Sequence, residues 1–226
     1  MIDYADGPDL DLIRFEEVAG VPIHYARPPV APYGSIGKPR KPRLDREFYA
    51  KLEVCMSELW DLLGRAKAVV SGGCYVEKPG MHGAGRAIDI DAIWWDKGPP
   101  IITLNYPNDR RRYLALEAQL RKHFGLVLNY HYNRAHRDHF HVDDSQPVGF
   151  FSTASRVVFI QAALIYLWDK DIEHDGIWGQ QTESAVLSIT SQLESSDDLL
   201  SLGGWTGFLD AAIYTGFGLS EAQESG

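Results

Sequence analysis

Residues 71–93 read SGGCYVEKPGMHGAGRAIDIDAI, and the end of that stretch decides the fold. From Ala87 to Ile93 the residues alternate, as a strand requires. Ala87, Asp89, Asp91 and Ile93 are expected on one face, and Ile88, Ile90 and Ala92 on the other. His82 lies on the approach to this strand, among glycines 80, 83 and 85, which tolerate backbone conformations that bulkier residues resist. A loop of that kind feeding a strand can swing an imidazole beside the Asp89 carboxylate. Read singly, His82 is a polar residue with a satisfied partner, and Asp89 a cap or the partner of Arg86.

A second cluster stands about fifty residues on, at 135–143, AHRDHFHVD. His139, His141 and Asp143 fall on one face of a second expected strand, with Phe140 and Val142 on the other, so H-x-H sets two imidazoles side by side above one sheet. His, Asp and His form a three-ligand zinc set that leaves a fourth position for water, the mark of a catalytic rather than a structural site. Zinc lowers the pKa of its water to about 7 and polarises a carbonyl. Asp138 or His139 could then stand beside that water as the base, and His136 could hydrogen-bond the intermediate or orient a neighbour. Asp91 and Asp143 read as partners of the ligands or as structural pairs. Trp94 and Trp95 read as packing residues, with groove walls as the alternative.

Away from the clusters, residues 1–44 lack sustained periodicity, and 27–43 (RPPVAPYGSIGKPRKPR) form an extended segment rich in proline and basic residues. It reads as a strap or linker, or as a border to the substrate groove. Asp45 is placed to cap a helix whose stripe is Phe48, Leu52, Met56, Leu59 and Leu63, ending near Gly64. Ala68–Ser71 and Leu126–Leu128 are short strands. Asn108 or Asp109 opens a helix through Tyr113, Leu116, Leu120 and Phe124, which Gly125 would end. A composition shift at 145–149 marks a boundary near 150. Three helices follow: one through Val157, Ile160, Leu164 and Leu167, one from about Gln180 to Leu193, and one from about Trp205 to Phe217, with a frayed tail at 221–226.

The 226 residues carry a net charge of −9 and are 45% hydrophobic, which suits one generous domain or two small ones and argues against wholesale disorder. The acidic balance argues against nucleic acid as a partner. No apolar run approaches the roughly 20 residues of a membrane span. The start, MIDYADGPDLDL, lacks the charged-then-apolar layout of a secretory signal. Cys55 and Cys74 read either as one disulfide or as two buried thiols.

His82-Gly83-Ala84-Gly85-Arg86-Ala87-Ile88-Asp89 resembles the H-x-x-G-x-A-x-D signature of the zinc D-alanyl-D-alanine carboxypeptidases. His136-Arg137-Asp138-His139-Phe140-His141 resembles the closing motif of the extensin-like branch of that family. The resemblance spans roughly 45–145. It implies an α+β fold in which a small antiparallel sheet with helices carries the metal, as in the wider hedgehog-like superfamily. It implies zinc as cofactor, His82, Asp89 and His141 as ligands, and either Asp138 or His139 as base. Asp138 is the sequence-based preference, because a carboxylate is already anionic at working pH. An oxyanion-steadying arginine is expected upstream of the first ligand; none lies between Ala66 and His82, which leaves Lys78 or Arg86.

Gln161-x-x-Leu164 with Asp175-Gly176-Ile177-Trp178-Gly179-x-x-Thr182 resembles the three-helix peptidoglycan-binding domain, over roughly 152–218. The expected organisation is therefore an extended segment at 1–44, a zinc peptidase domain at 45–149 and a small all-α domain at 150–220. Together the two resemblances imply a peptidoglycan hydrolase acting on peptide stems or cross-links in the periplasm or wall. Export without a standard signal, phage lysis or a processed chain would deliver it there. A secreted effector would also call for an immunity or inhibitor protein. The non-enzymatic alternative is a wall-binding protein with a degenerate metal site.

Overall fold

The computed structural model describes residues 10–192 and 198–219, and its first third holds most of what sequence patterning did not resolve. Five short strands come first: β1 (Leu12–Arg14), β2 (Glu17–Val18), β3 (Val21–Tyr25), β4 (Lys38–Pro39) and β5 (Arg43–Asp45). Then follow α1 (Arg46–Leu63), β6 (Ala68–Gly73), β7 (Ala87–Trp94), β8 (Ile101–Ile102), α2 (Arg110–His123), β9 (Leu126–Leu128) and β10 (Phe140–Asp143). The helices α3 (Ala154–Trp168), α4 (Gln180–Thr190) and α5 (Leu202–Phe217) end the chain. The fold is α+β. β1 and β5 make a two-stranded antiparallel sheet, and the larger sheet runs β2-β3-β6-β7-β10-β9, with β4 beside β3 and β8 beside β7.

β3 lies parallel to β6, so the larger sheet is mixed, and α1 sits on the crossover between the two strands. Part of the segment read as merely extended thus enters the sheet. Its alternation was there to see, since Val21 and Ile23 are buried while Pro22 and His24 are not. Pro22 stands inside this strand at an exposed position.

α1 forms as expected. The Asp45 carboxylate accepts from the Phe48 amide at 3.1 Å, and Gly64 ends the helix at φ 78°. Phe48, Leu52, Cys55, Met56, Leu59 and Trp60 make its buried face. A cap of this kind stabilises by about 0.5–2 kcal/mol. α2 stops at His123 with Phe124 as its C-cap. Gly125 serves another purpose, because a Cβ there would run into the backbone of Gln146 and Pro147.

β7 departs from simple alternation. Val70 pairs with Ala92 and Ser71 with Ile90, which leaves Asp91 as an extra residue; Gly73 then pairs with Asp89, which leaves Gly72 extra on β6. Two opposed bulges restore the register. The face therefore switches at Asp91. Ile93 joins Ile88 and Ile90 in the main core, instead of sharing a face with Asp89, while Ala92 joins Val70 and Ala26 in a small separate cluster.

Cys55 and Cys74 are both buried free thiols rather than a disulfide. Cys55 faces the Gln119 carbonyl of α2, whereas Cys74 lies against the Ser71 hydroxyl, so the two occupy separate surroundings. Trp95 packs edge-on against Trp60 and donates to the Gly64 carbonyl, a packing role.

The last three helices share the main core with the sheet half. α5 lies against α2 where Gly216 meets Arg111 and Ala115, at a spacing that any Cβ would violate. Arg121 of α2, with its side chain 1% exposed, donates to Glu117, to the Val127 carbonyl and to Ser155 of α3. Arg156 of α3 reaches back to the carbonyls of Gly125 and Pro147. α4 ends at Thr190 with Ser191 as its C-cap, short of the expected end near Leu193, and the tail at 221–226 lies outside the described residues. No helix among the described residues is long and apolar enough to cross a membrane.

Candidate metal centre

β7 and β10 pair antiparallel with Asp89 directly opposite His141, so two of the expected ligands are cross-strand neighbours. His82 comes in from the glycine loop. The placement of Asp89 needs Gly73, because a Cβ there would crowd the Asp89 carboxylate. The donor atoms of His82, Asp89 and His141 lie within 4.8 Å of one another, a spacing at which they can hold a metal ion.

Hydrogen bonds on the far side of each ring fix what the near side offers. His82 Nδ1 lies 2.8 Å from the Cys74 carbonyl, which can only accept, so Nδ1 carries a hydrogen and Nε2 turns to Asp89 Oδ1 at 3.2 Å. His141 Nε2 faces Asp143 Oδ2 at 3.0 Å, and its Nδ1 faces Asp89 Oδ1 at 3.0 Å. Asp143 is itself held by the Ser145 amide and hydroxyl. His139 repeats the pattern: Nδ1 meets Asp138 Oδ1 at 2.6 Å and Nε2 stands 3.6 Å from Asp89 Oδ1. Three imidazoles, each pinned at its outer nitrogen, aim the inner nitrogen at one carboxylate oxygen. If the rings are neutral, those inner nitrogens are lone pairs facing an anion, an arrangement that favours a shared cation.

The electrostatics agree. Burial pushes the Asp89 carboxyl up, but hydrogen bonds from His141 and His82 outweigh it and hold the group well below the ordinary carboxylate range. Burial lowers His141, yet the bonds to Asp143 and Asp89 win and raise it to about 9. His136 behaves differently. Burial, with the charges of His139 and His141 adding to it, lowers it to about 4, and its Nδ1 bonds Asn133 at 2.8 Å. Its ring lies 5.2 Å from that of His139, beside the cluster and bonded to none of the three candidate ligands.

Arg86 is not free to face a substrate. Its guanidinium is bound by Asp144, Asp45 and Glu47, tying the start of α1 to the end of β10. It does not pair with Asp89. The arginine that does come near the site was not legible locally. Arg27, from the N-terminal strap, makes a bidentate pair with Asp91 at 2.9 and 2.7 Å.

In the helical half, Gln161 gathers the loop motif. Its amide donates to Asp175, to the Ile177 carbonyl and to Thr182, and accepts from the Gly176 amide. Trp178 packs tilted against Phe150, with ring centres 4.6 Å apart. The motif residues therefore fix the loop between α3 and α4. A cavity of about 520 Å³ lies between Phe150, Trp178, Val186 and Leu199, and none of the candidate ligands lines it.

No curated protein and no solved structure matches this chain. Residues 73–151, about a third of the chain and the stretch that carries all three candidate ligands, match the family model described as Extensin-like protein C-terminus.

Proposed function

We propose that the protein is a zinc-dependent peptidoglycan hydrolase that cleaves an amide bond in the peptide stems or cross-links of the bacterial wall. The observation that carries this reading is the convergence of the inner nitrogens of His82, His141 and His139 on Asp89 Oδ1. Two imidazoles and one carboxylate suit zinc, and the bonds to Cys74 and Asp143 set the tautomers that ligation needs. A zinc ion held there would supply a Lewis acid and a water of lowered pKa.

His139 rather than Asp138 is the base in this reading. Its Nε2 points at the ligand cluster, whereas Asp138 sits behind the ring on Nδ1. Asp138 then holds the tautomer and steadies the imidazolium once His139 has taken the water proton. His139 returns that proton to the leaving amine. The helical half, through its likeness to peptidoglycan-binding domains, would hold the enzyme on the wall.

One observation favours a second reading. Because His139 also aims at Asp89 Oδ1, it could serve as a fourth ligand of a closed, structural site. The two readings separate in one variant. Full-length His139→Ala should keep about one zinc per chain by elemental analysis while losing ~10²–10⁴-fold in kcat on defined muropeptides, scored by mass spectrometry. Loss of the metal in that variant would make the site structural, and an inert wild-type protein on every muropeptide would remove the hydrolase.

A further inference from the structure

Asp91 is fully buried and sits at the bulge of β7, two residues past the Asp89 ligand position. Its charge is met from the N-terminal strap, because Arg27 Nε and Nη2 bond its two oxygens at 2.9 and 2.7 Å. The fit depends on Gly72, the bulge residue of β6, where a Cβ would collide with the Arg27 guanidinium. A second bridge leaves the same place. The Thr103 hydroxyl lies 2.9 Å from the Asp91 carbonyl and 2.6 Å from the Asp138 carbonyl. Both partners only accept, so Thr103 shares its one hydrogen between them, and the Tyr33 hydroxyl, 3.4 Å away, is left to donate to Thr103. Tyr33 in turn lies under Arg27, with the guanidinium 5.6 Å from its ring centre. Arg27 is held protonated first by its bonds to Asp91, with the Asp138 charge adding to the effect.

We propose that Arg27, with Tyr33 and Thr103, is a positioning device that holds Asp138 against His139, so that a strap residue outside the extensin-like match completes the catalytic machinery. Asp138 has a 37% exposed side chain at the end of a loop, and its carbonyl is held by Thr103, which also bonds the Asp91 carbonyl of β7. Asp138 orients His139 only while its own backbone stays fixed. Arg27 fixes it at one remove, by anchoring Asp91 and by placing a positive charge near the Asp138 carboxylate. The strap thereby acts on the base and leaves His82, Asp89 and His141 alone.

This inference rests on His139 as the base, and its test reads that residue directly. The full-length protein labelled with ¹⁵N on histidine would be compared with Thr103→Val, Gly72→Ala, Arg27→Lys and Arg27→Ala, with zinc content and muropeptide kinetics measured alongside. In wild type the His139 shifts should report a hydrogen on Nδ1. In Thr103→Val and Gly72→Ala that signature should move toward a tautomer mixture. Zinc content should hold at the wild-type level, kcat should fall about tenfold or more, and KM should change little. Arg27→Lys should recover part of what Arg27→Ala loses. Because Arg27→Ala strands a buried carboxylate and can unfold the chain, Thr103→Val carries the decision. Unchanged His139 shifts and kcat in folded Thr103→Val would overturn the proposal, as would a loss of zinc that accounts for the lost activity. Shifted His139 signals in a protein whose wild type cleaves nothing would uphold the positioning role and count against the hydrolase.

Discussion

Two of the buried charge clusters among the described residues are built on opposite plans. Between α2, β9 and α3, Glu117 and Arg121 are both almost wholly buried and meet each other at 2.7 Å. Asn129 donates to both Glu117 oxygens, and Arg121 also reaches Val127 and Ser155. The two opposite charges thus neutralise each other inside the core. On the β7–β10 face one oxygen, Asp89 Oδ1, is approached by three imidazole nitrogens whose outer partners have already been chosen. The first cluster is closed and rivets two parts of one core. The second is arranged so that a proton or a metal ion is required to balance it. Buried charge alone therefore says little about function; the informative quantity is whether the local partners already satisfy it.

The sharpest way to break this contrast is at the ligands. His82→Ala, Asp89→Ala and His141→Ala should each lose essentially all bound metal in elemental analysis, with circular dichroism close to wild type. Full retention in all three would mean that the open cluster is no metal site. At the closed cluster the outcome should invert. Glu117→Ala strands a buried guanidinium and should cost about 3–5 kcal/mol in urea unfolding, with metal stoichiometry unchanged in the folded fraction. The double variant Glu117→Leu with Arg121→Met should recover most of that loss, because an apolar pair of similar volume removes both desolvation penalties.

A smaller effect is expected one bond away from the open cluster. Asp143→Asn leaves the three donors in place but weakens the hold on His141 Nε2, and should reduce metal affinity by roughly 10–100-fold in a competition assay with a chelator. An unchanged affinity would show that Asp143 serves Ser145 and the chain turn alone.

The smallest and most graded effect is the pH response. His141 is raised from 6.5 to about 9 in the metal-free protein. A group raised on folding adds stability that is complete below its unfolded value and is lost as pH climbs through the folded one. The metal-free protein should accordingly lose part of its stability between about pH 6.5 and 9, whereas His141→Gln should not show that loss. Metal must displace the same proton, so apparent affinity should rise by up to about tenfold per pH unit below about 9 and then level off. A flat affinity across that range would argue against His141 as a ligand.

Local pattern carried the two halves of the site. Alternation in 87–93 and in 139–143 placed Asp89 and His141 on strands, and a glycine-rich approach left His82 free to turn, all of which depends on residues a few positions apart. The same local rules found α1 with its Asp45 cap and the three closing helices, because a stripe at helical spacing needs no knowledge of its partner. Pattern failed where a residue's role is set by something distant. A regular strand carries Ile93 on the Asp89 face, and only pairing with β6 creates the bulge at Asp91 that sends it to the core. The five residues of β3 are too few to show a sustained period, and the strand pairs along the edge that β6 offers it.

Choosing between Asp138 and His139 is a question of the same kind. Charge at working pH favoured the carboxylate, but which of the two faces Asp89 depends on how the chain turns into β10. No arginine stands shortly upstream of His82, whereas Arg27 reaches Asp91 across 64 positions because Gly72, near the end of β6, leaves it room. Sequence by itself determined the donor types, the strands that carry them and the helices that back them, since propensity and periodicity act over one or two turns of chain. Tertiary structure decided which nitrogen faces which oxygen, whether a buried charge is satisfied, and which distant residue stands behind the site, since those depend on distances of a few ångströms between segments that only the folded sheet brings together.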